Sequence, residues 1–179
     1  RANSAGFEGF VSDVVFSQGS GFFMQPVEVS LQTATPGATI RFSFDGSAPT
    51  RTTGMVYTEP VQVADTTVLR VAAFLDGYEA SYSDTRTYIF IETRDGNGDI
   101  LNQPRRPAGF PLTWGQGIQA DYEMDQDVVT DPSYRDEIAD DFLALPSLSL
   151  VSDLEHLFNP STNPGIGGIY SNSRSSGSN

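Results

Sequence analysis

The sequence predicts an all-β protein built as an antiparallel sandwich, and two observations favour that fold class. Short apolar stretches with a period of two follow one another over residues 13–92. Clusters of Gly, Pro, Asp and Thr separate these stretches, and no helical period lies between them. The chain has 179 residues with a hydrophobic content of 38%, which is enough to support the core of one such domain.

The clearest strand is the stretch 39–44. Its apolar and polar residues alternate, so that one face is expected in the core: Ile40, Phe42 and Phe44 against Thr39, Arg41 and Ser43. Pro36 and Gly37 precede it and suit a turn with proline at its second position. Both ends of this strand are therefore predicted to be tight corners.

The remaining strands follow at short spacing. They are predicted at residues 14–16, 27–31, 55–57, 61–63, 68–74 and 83–91. Both faces of 68–74 are largely apolar, which favours a central strand, and 83–91 is predicted to close the sheet as its terminal strand. Residues 1–12 show no clear period and are interpreted as a lead-in.

The second half of the chain has a different character. Residues 93–120 are predicted to be a proline-rich linker, and residues 173–179 a polar tail. An amphipathic helix is expected to begin at Asp131-Pro132 and to end before Pro146, followed by a short strand at 147–151 and a brief helix at 154–158. One helix and one strand cannot close a core, so this part either packs on the sandwich or lacks the rest of its domain.

The charge and composition exclude several function classes. The formal net charge is −13, and all ten basic residues are Arg, so nucleic-acid binding and anionic-membrane binding are unfavourable. There is no Cys, which excludes disulfides and thiolate zinc sites. No apolar stretch is long enough to span a bilayer, and the start at Arg1 without a leader suggests an excerpt of a longer protein.

Several motifs in the first half resemble a known family. They are TPGATIRFSFDGSAPT at residues 35–50, YTEPV at 57–61, AAFLDGY at 72–78, and Ser81 with Tyr88. Together they are similar to the chitobiase/β-hexosaminidase C-terminal domain, with Phe42 and Ser43 where that family commonly has Tyr and Thr. The resemblance covers about residues 13–92 and implies an immunoglobulin-like or fibronectin-III-like sandwich. It also implies an accessory module of secreted bacterial proteins, often carbohydrate-active ones.

A second resemblance concerns residues 121–172. The motifs WG at 114–115, DYEMD at 121–125, LPSLS at 145–149 and GIYSN at 168–172 are similar to the entry segment of CotH-type, spore-coat kinase-like domains. This resemblance implies that residues 121–172 are the truncated start of such a domain. The kinase-like catalytic body would then lie further on.

The turn after residue 44 has two interpretations. In the first, Asp45, Ser47 and Thr50 hydrogen-bond a sugar. In the second, which turn chemistry favours, Asp45 bonds its own backbone, Gly46 supplies an unusual φ and Pro49 ends the turn. We therefore interpret Asp45, Gly46, Ser47 and Pro49 as a structural turn.

Aromatic side chains are the candidate carbohydrate-binding residues, because their rings stack on sugars. Six of them are the candidates for such a platform: Phe22, Phe23, Tyr57, Tyr78, Tyr82 and Trp114. Most aromatic residues in a small sandwich pack in the core or at an edge. Tyr78, Tyr82 and Trp114 remain as candidates, with Tyr78 and Tyr82 expected to be exposed beside the turn at Asp76-Gly77.

One loop has the spacing of calcium ligands. Asp95, Asn97 and Asp99 alternate like the first oxygen ligands of an EF-hand, but Ile100 and Arg106 occupy the positions of its glycine and terminal glutamate. A solvated loop is the preferred interpretation, with calcium as the alternative. The acidic series Asp121, Asp125, Asp127 and Asp131 is likewise interpreted as solvated, so no cofactor is expected.

Catalytic chemistry has little support in the sequence. His156 is the only histidine, and its neighbours Ser152 and Asp153 are explained by helix capping. Phosphoryl transfer lacks both a lysine and a glycine-rich loop that opens a helix. The chain is therefore not expected to be an enzyme.

These inferences lead to one functional expectation and one alternative. The chain is expected to be a non-catalytic accessory module of a larger extracellular or cell-surface bacterial protein, acting as a spacer or as a weak carbohydrate-binding domain. Its partners would be neighbouring domains and a polysaccharide or glycan. The alternative is the N-terminal part of a CotH-type kinase-like surface protein.

Overall fold

The structure is a computed structural model that describes residues 6–91, 110–113, 118–122, 125–134, 136–159 and 161. The described residues form strands first and short helices afterwards, which confirms the predicted all-β sandwich class. The strands are β1 (Gly9–Phe10), β2 (Val14–Phe16), β3 (Gly21–Phe23), β4 (Val27–Val29), β5 (Leu31–Thr33), β6 (Thr39–Ser43), β7 (Met55–Val56), β8 (Val61–Val63), β9 (Thr67–Phe74), β10 (Tyr78–Glu79) and β11 (Asp84–Phe90). The helices are α1 (Gln126–Val129), α2 (Ile138–Ala144) and α3 (Leu154–Phe158).

The main sheet of the described residues has five strands in the order β3-β11-β9-β6-β7. The other strands form three pairs, β2 with β5, β4 with β8, and β1 with β10. β9 lies in the middle of the main sheet, between β11 and β6, as its two apolar faces predict. Its side chains Leu69, Val71 and Ala73 are fully buried and contact core residues contributed by the other strands.

Two pairings are parallel, which the antiparallel prediction missed. β3 pairs with β11, with Phe22 opposite Ile89, and β1 pairs with β10, with Gly9 opposite Tyr78. Each pair joins the beginning of the domain to its end, and a parallel pair requires a long connection of this kind. The stretch 83–91 is the last strand of the described residues in chain order, as predicted, but it does not form the edge of the sheet, because β3 covers the outer side of β11.

The segment 1–12, predicted as a lead-in, contains part of the packed domain. β1 lies within it, and Glu8 and Val11 donate backbone hydrogen bonds to Gly77 and Glu79. The Val11 side chain is buried in the core. The sandwich therefore includes residues before position 13.

The face predicted for the stretch 39–44 is only partly correct. Ile40 and Phe42 are buried as expected, but the strand ends at Ser43 and Phe44 is 41% exposed. Ser43 is buried instead, and its hydroxyl donates to the Ser47 carbonyl at 2.6 Å. The chain turns immediately after Ser43, which ends the alternation one residue early.

The helical part differs from its prediction at the start. Asp131 Oδ1 accepts a hydrogen bond from the Ser133 amide at 2.7 Å, residues 132–134 form a turn, and α2 begins only at Ile138. The helix ends at Ala144 because Leu145, which precedes a proline, is extended. The prediction of α3 is confirmed, but residues 147–151 form no strand, and Leu148 and Leu150 are 84% and 86% exposed.

Candidate functional site

The aromatic candidates are distributed between packing and surface positions. The Tyr78 side chain is half-buried and packs against the core. Its ring also lies on β1, because a Cβ placed on Gly9 would approach Tyr78 Cε1 to 2.9 Å. The Tyr78 ring therefore packs over Gly9 of β1, and part of it is covered by protein.

Tyr82 is presented to solvent by a fixed backbone. Its side chain is 63% exposed. Its amide donates to Asp13 Oδ1 at 2.9 Å, and its carbonyl accepts from the Ser81 hydroxyl at the same distance. Of the three candidate ligand-binding residues, Tyr82 alone is described as an exposed ring, since Trp114 lies outside the described residues.

The other aromatic residues considered for a platform are partly buried and pack against neighbouring side chains. The Phe23 ring lies 5.5 Å from Tyr88 and 5.8 Å from Phe90, measured between centroids. Phe22 lies 6.4 Å from Phe142 of α2, and Tyr57 is half-buried against the core. These rings stabilise the sandwich and its contact with α2.

The turn after β6 satisfies its own hydrogen bonds. Asp45 Oδ1 accepts from the Ser47 amide at 3.0 Å and from the Ser47 hydroxyl at 2.5 Å. These bonds, the hydroxyl of Ser47 first, lower the pKa of Asp45 although partial burial opposes them. Gly46 has a φ of 78°, the region that favours glycine, and Pro49 is buried.

The described residues 110–161, which we call the C-terminal segment, dock on this turn. Sequence reasoning missed this contact. Asp153 Oδ1 accepts from Arg70 Nη1 at 3.0 Å and from the Ala48 amide at 3.3 Å. Arg70 Nη1 also donates to the Gly46 carbonyl at 2.8 Å. Asp153 immediately precedes α3 and has the extended backbone of an N-cap residue. Its carboxylate makes no cap bond to α3, because it accepts hydrogen bonds from Arg70 and Ala48 of the sandwich instead. The only sequence signal was an arginine within an otherwise apolar strand.

A groove of about 310 Å³ lies between the turn and the C-terminal segment. Its lining is mostly apolar and comes from both parts of the chain: Phe44, Asp45, Gly46, Thr66, Thr67 and Val68 from the sandwich, and Phe110, Tyr122, Leu150, Val151, Ser152, Leu154 and Leu157 from the segment. Phe110 is held there by the rings of Tyr122 and Phe158, at 5.3 and 5.0 Å. The groove results from the docking of the segment.

The serine and histidine of this segment form a pair. Ser152 Oγ lies 2.9 Å from His156 Nδ1. The neighbouring carboxylate of Asp153 is directed to Arg70 and Ala48. Ser152 lies just before α3 and His156 lies within it, so the bond is an exposed local contact between residues four apart in the sequence.

The described part of the chain contains neither a cluster of metal-ligating side chains nor a membrane-spanning helix. There, no group of three or more His, Cys, Asp or Glu side chains could hold a metal ion. The predicted calcium ligands Asp95, Asn97 and Asp99 lie outside the described residues. Within the same residues, none of the helices has the length and apolar character needed to cross a membrane.

Comparison with known proteins gives one family. Residues 18–86 match the model of the chitobiase/beta-hexosaminidase C-terminal domain, which supports the resemblance stated for the sandwich. That domain is a non-catalytic accessory module of its parent enzyme. The match does not reach residues 121–172, so their likeness to CotH-type domains is not supported. No curated protein and no solved structure matches the chain.

Proposed function

We propose that this chain is a non-catalytic accessory part of a larger extracellular or cell-surface protein, and that its sandwich acts as a spacer. The sandwich would hold the segment that follows it in a fixed orientation. The match of residues 18–86 to an accessory domain supports the non-catalytic role. A spacer of this kind takes its biological purpose from the domains to which it is attached.

The observation that carries the proposal is the attachment of the C-terminal segment to the sandwich. Besides the Arg70–Asp153 ion pair, the Thr87 and Ser149 hydroxyls lie 2.6 Å apart, and the Phe22 and Phe142 rings contact each other. These contacts lie at three separate points of the segment 142–153. A flexible linker would leave the orientation of the next domain free, whereas three attachments restrict it.

Weak carbohydrate binding is the second candidate function, and Tyr82 favours it. An exposed ring on an ordered backbone is suited to stack on a sugar. The glycan would bind at Tyr82, which follows the turn at Asp76-Gly77 and the half-buried Tyr78 in the sequence.

The spacer function can be tested by distance measurements between spin labels. The chain has no cysteine, so the exposed Ala64 and Glu155 can each be replaced by Cys and labelled uniquely. A spacer requires one narrow distance distribution between the sandwich and α3. A broad distribution that matches a freely moving segment would reject it.

Carbohydrate binding is tested separately by titration with chitin oligosaccharides, followed by NMR and tyrosine fluorescence. Binding requires shifts near Tyr82 that disappear in the Tyr82→Ala variant. Tyr134→Ala is the matched control, because Tyr134 is similarly exposed at 56% but belongs to the C-terminal segment. The absence of any shift in the wild-type chain would reject this second function.

A further inference from the structure

We propose that the turn 45–48 and Arg70 form a peptide-docking site for a carboxylate-bearing segment, which in this chain is occupied in cis by residues 151–154. The site is named here the Arg70 site, and residues 151–154 are named the docking peptide. The inference goes beyond the spacer function, because it assigns a separable binding site to the sandwich itself. The ligand class is an extended peptide with an aspartate between apolar residues.

Arg70 also has hydrogen-bond partners that do not depend on the carboxylate of Asp153. Arg70 Nη1 is bonded to the Gly46 carbonyl at 2.8 Å, and Arg70 Nε is bonded to the Ser83 hydroxyl at 3.0 Å. Both of these partners belong to the sandwich. These two bonds orient the guanidinium independently of Asp153, which reduces the entropy lost on binding.

Two donors of the site converge on one carboxylate oxygen. Arg70 Nη1 and the Ala48 amide both donate to Asp153 Oδ1, at 3.0 and 3.3 Å. Hydrogen bonds to an ionised acceptor are stronger than those between neutral groups. The arrangement therefore selects aspartate over asparagine, which offers the same shape with a weaker acceptor.

The docking peptide packs on the turn at Gly46, at a distance where an added Cβ would make ordinary van der Waals contact with it. A Cβ at this position would lie 3.5 Å from Val151 Cγ1 and 3.8 Å from the Ser152 carbonyl oxygen. On either side of Asp153, Val151 and Leu154 line the groove together with Phe44 and Val68 of the sandwich. The site thus combines a charged centre with apolar contacts before and after the aspartate.

The site and its ligand belong to separate parts of the sequence. All the donors and the turn lie within the family match at 18–86, whereas the docking peptide lies outside it. The binding determinants of the sandwich are therefore complete without residues 151–154. A peptide of the same chemistry can occupy the site in trans when the cis occupant is removed.

The test uses the full chain with the cis occupant weakened by Val151→Ser and Asp153→Ala together. A synthetic peptide covering residues 148–159 is titrated into this variant while the Ala48 amide and the Arg70 Nε–H are followed by NMR. We expect saturable shifts at both groups, and about tenfold weaker binding for the same peptide with Asp153→Asn. Wild-type chain should respond less, because its own Asp153 competes.

The role of Arg70 is tested by adding Arg70→Met to the same variant. This change should abolish the preference of the Arg70 site for the aspartate peptide over the asparagine peptide. Equal binding of the two peptides, or no shift at Ala48 and Arg70, would overturn the docking site. A second measurement needs no peptide: hydrogen exchange at the Ala48 amide should rise about tenfold in Asp153→Ala and stay unchanged in Asp140→Ala, an exposed carboxylate on α2. Unchanged exchange in both variants also counts against the proposal.

The outcomes separate this inference from the spacer function. Aspartate-dependent binding together with a broad label distribution would retain the Arg70 site and reject the spacer. A narrow distribution without binding in trans would retain the spacer and reject the site.

Discussion

Arg70 and Asp153 lie 83 residues apart in the sequence, and Arg70 Nη1 donates to Asp153 Oδ1 at 3.0 Å. Arg70 belongs to the central strand β9, and Asp153 immediately precedes α3. The bond therefore ties the C-terminal segment directly to the central strand of the main sheet. A movement of α3 away from the turn would separate these two charges.

The strength of this tie is measurable by a double-mutant cycle of Arg70→Met, Asp153→Ala and the combined variant. We expect a coupling free energy of about 1 kcal/mol, because the pair is partly exposed but shares a backbone donor. Urea unfolding followed by circular dichroism provides the values. The exposed pair Arg51–Asp76 serves as the control cycle and should give less coupling. Equal coupling in the two cycles would contradict the importance of the Arg70 contact.

The central strand was predictable because both of its faces are apolar. Leu69, Val71 and Ala73 face one way along β9, and the fully buried state of all three follows from that composition. The residues that carried the family resemblance also have structural roles. Ser81 and Tyr88 are both buried and hydrogen-bonded, which explains why they belong to a fold signature.

The elements that sequence reasoning missed depend on distant partners. Leu148 and Leu150 alternate with serines as in a strand, but no strand among the described residues pairs with them and they remain exposed. Asp131 has the local pattern of a helix start, yet its carboxylate is satisfied by the Ser133 amide in a turn. Asp153 has the local pattern of a helix cap, but its carboxylate binds Arg70, which lies 83 residues away in the sequence. Local patterns contain no information about a contact at this separation.

Removal of core volume from β9 should be far more costly than removal of an exposed leucine. Leu69→Ala is expected to lower the free energy of unfolding by about 2–5 kcal/mol, because the Leu69 side chain is fully buried. Leu148→Ala removes the same atoms from a side chain that is 84% exposed and should change stability by less than about 0.5 kcal/mol. Chemical denaturation of both variants measures the difference. Similar losses of unfolding free energy in Leu69→Ala and Leu148→Ala would contradict the position of Leu69 in the core.

Ser81 connects β9 to the chain that leads into β11. Its hydroxyl accepts from the Ala73 amide at 2.8 Å and donates to the Tyr82 carbonyl at 2.9 Å. Ser81→Ala leaves the buried Ala73 amide without this acceptor and should cost about 1–3 kcal/mol. Hydrogen exchange at Ala73 should accelerate in parallel with the loss measured by unfolding. Ser147→Ala, at an exposed position, is the control, and an equal effect there would contradict the prediction.

The Tyr88 hydroxyl is buried and donates to the Gln18 carbonyl at 3.0 Å. Burial raises the pKa of Tyr88 from 10.0 to about 12, although the charge of Arg86 partly opposes the shift. The folded protein therefore holds this proton more tightly than the unfolded chain. The contribution of this pKa shift to the free energy of unfolding is fully present below pH 10 and is lost as the pH rises to about 12.

The expected alkaline loss from this group is about 2–3 kcal/mol, the energetic equivalent of a pKa difference of about two units. Tyr88→Phe removes the ionisable group, so the unfolding free energy of this variant should decline less between pH 10 and pH 12 than that of the wild type. The variant should also be less stable at neutral pH by about 1 kcal/mol, because the Gln18 carbonyl loses its donor. Urea unfolding over a pH series measures both effects. Tyr82→Phe, which alters an exposed ring, should follow the wild-type decline, and an equally steep decline in Tyr88→Phe would show that the buried hydroxyl is not the group responsible.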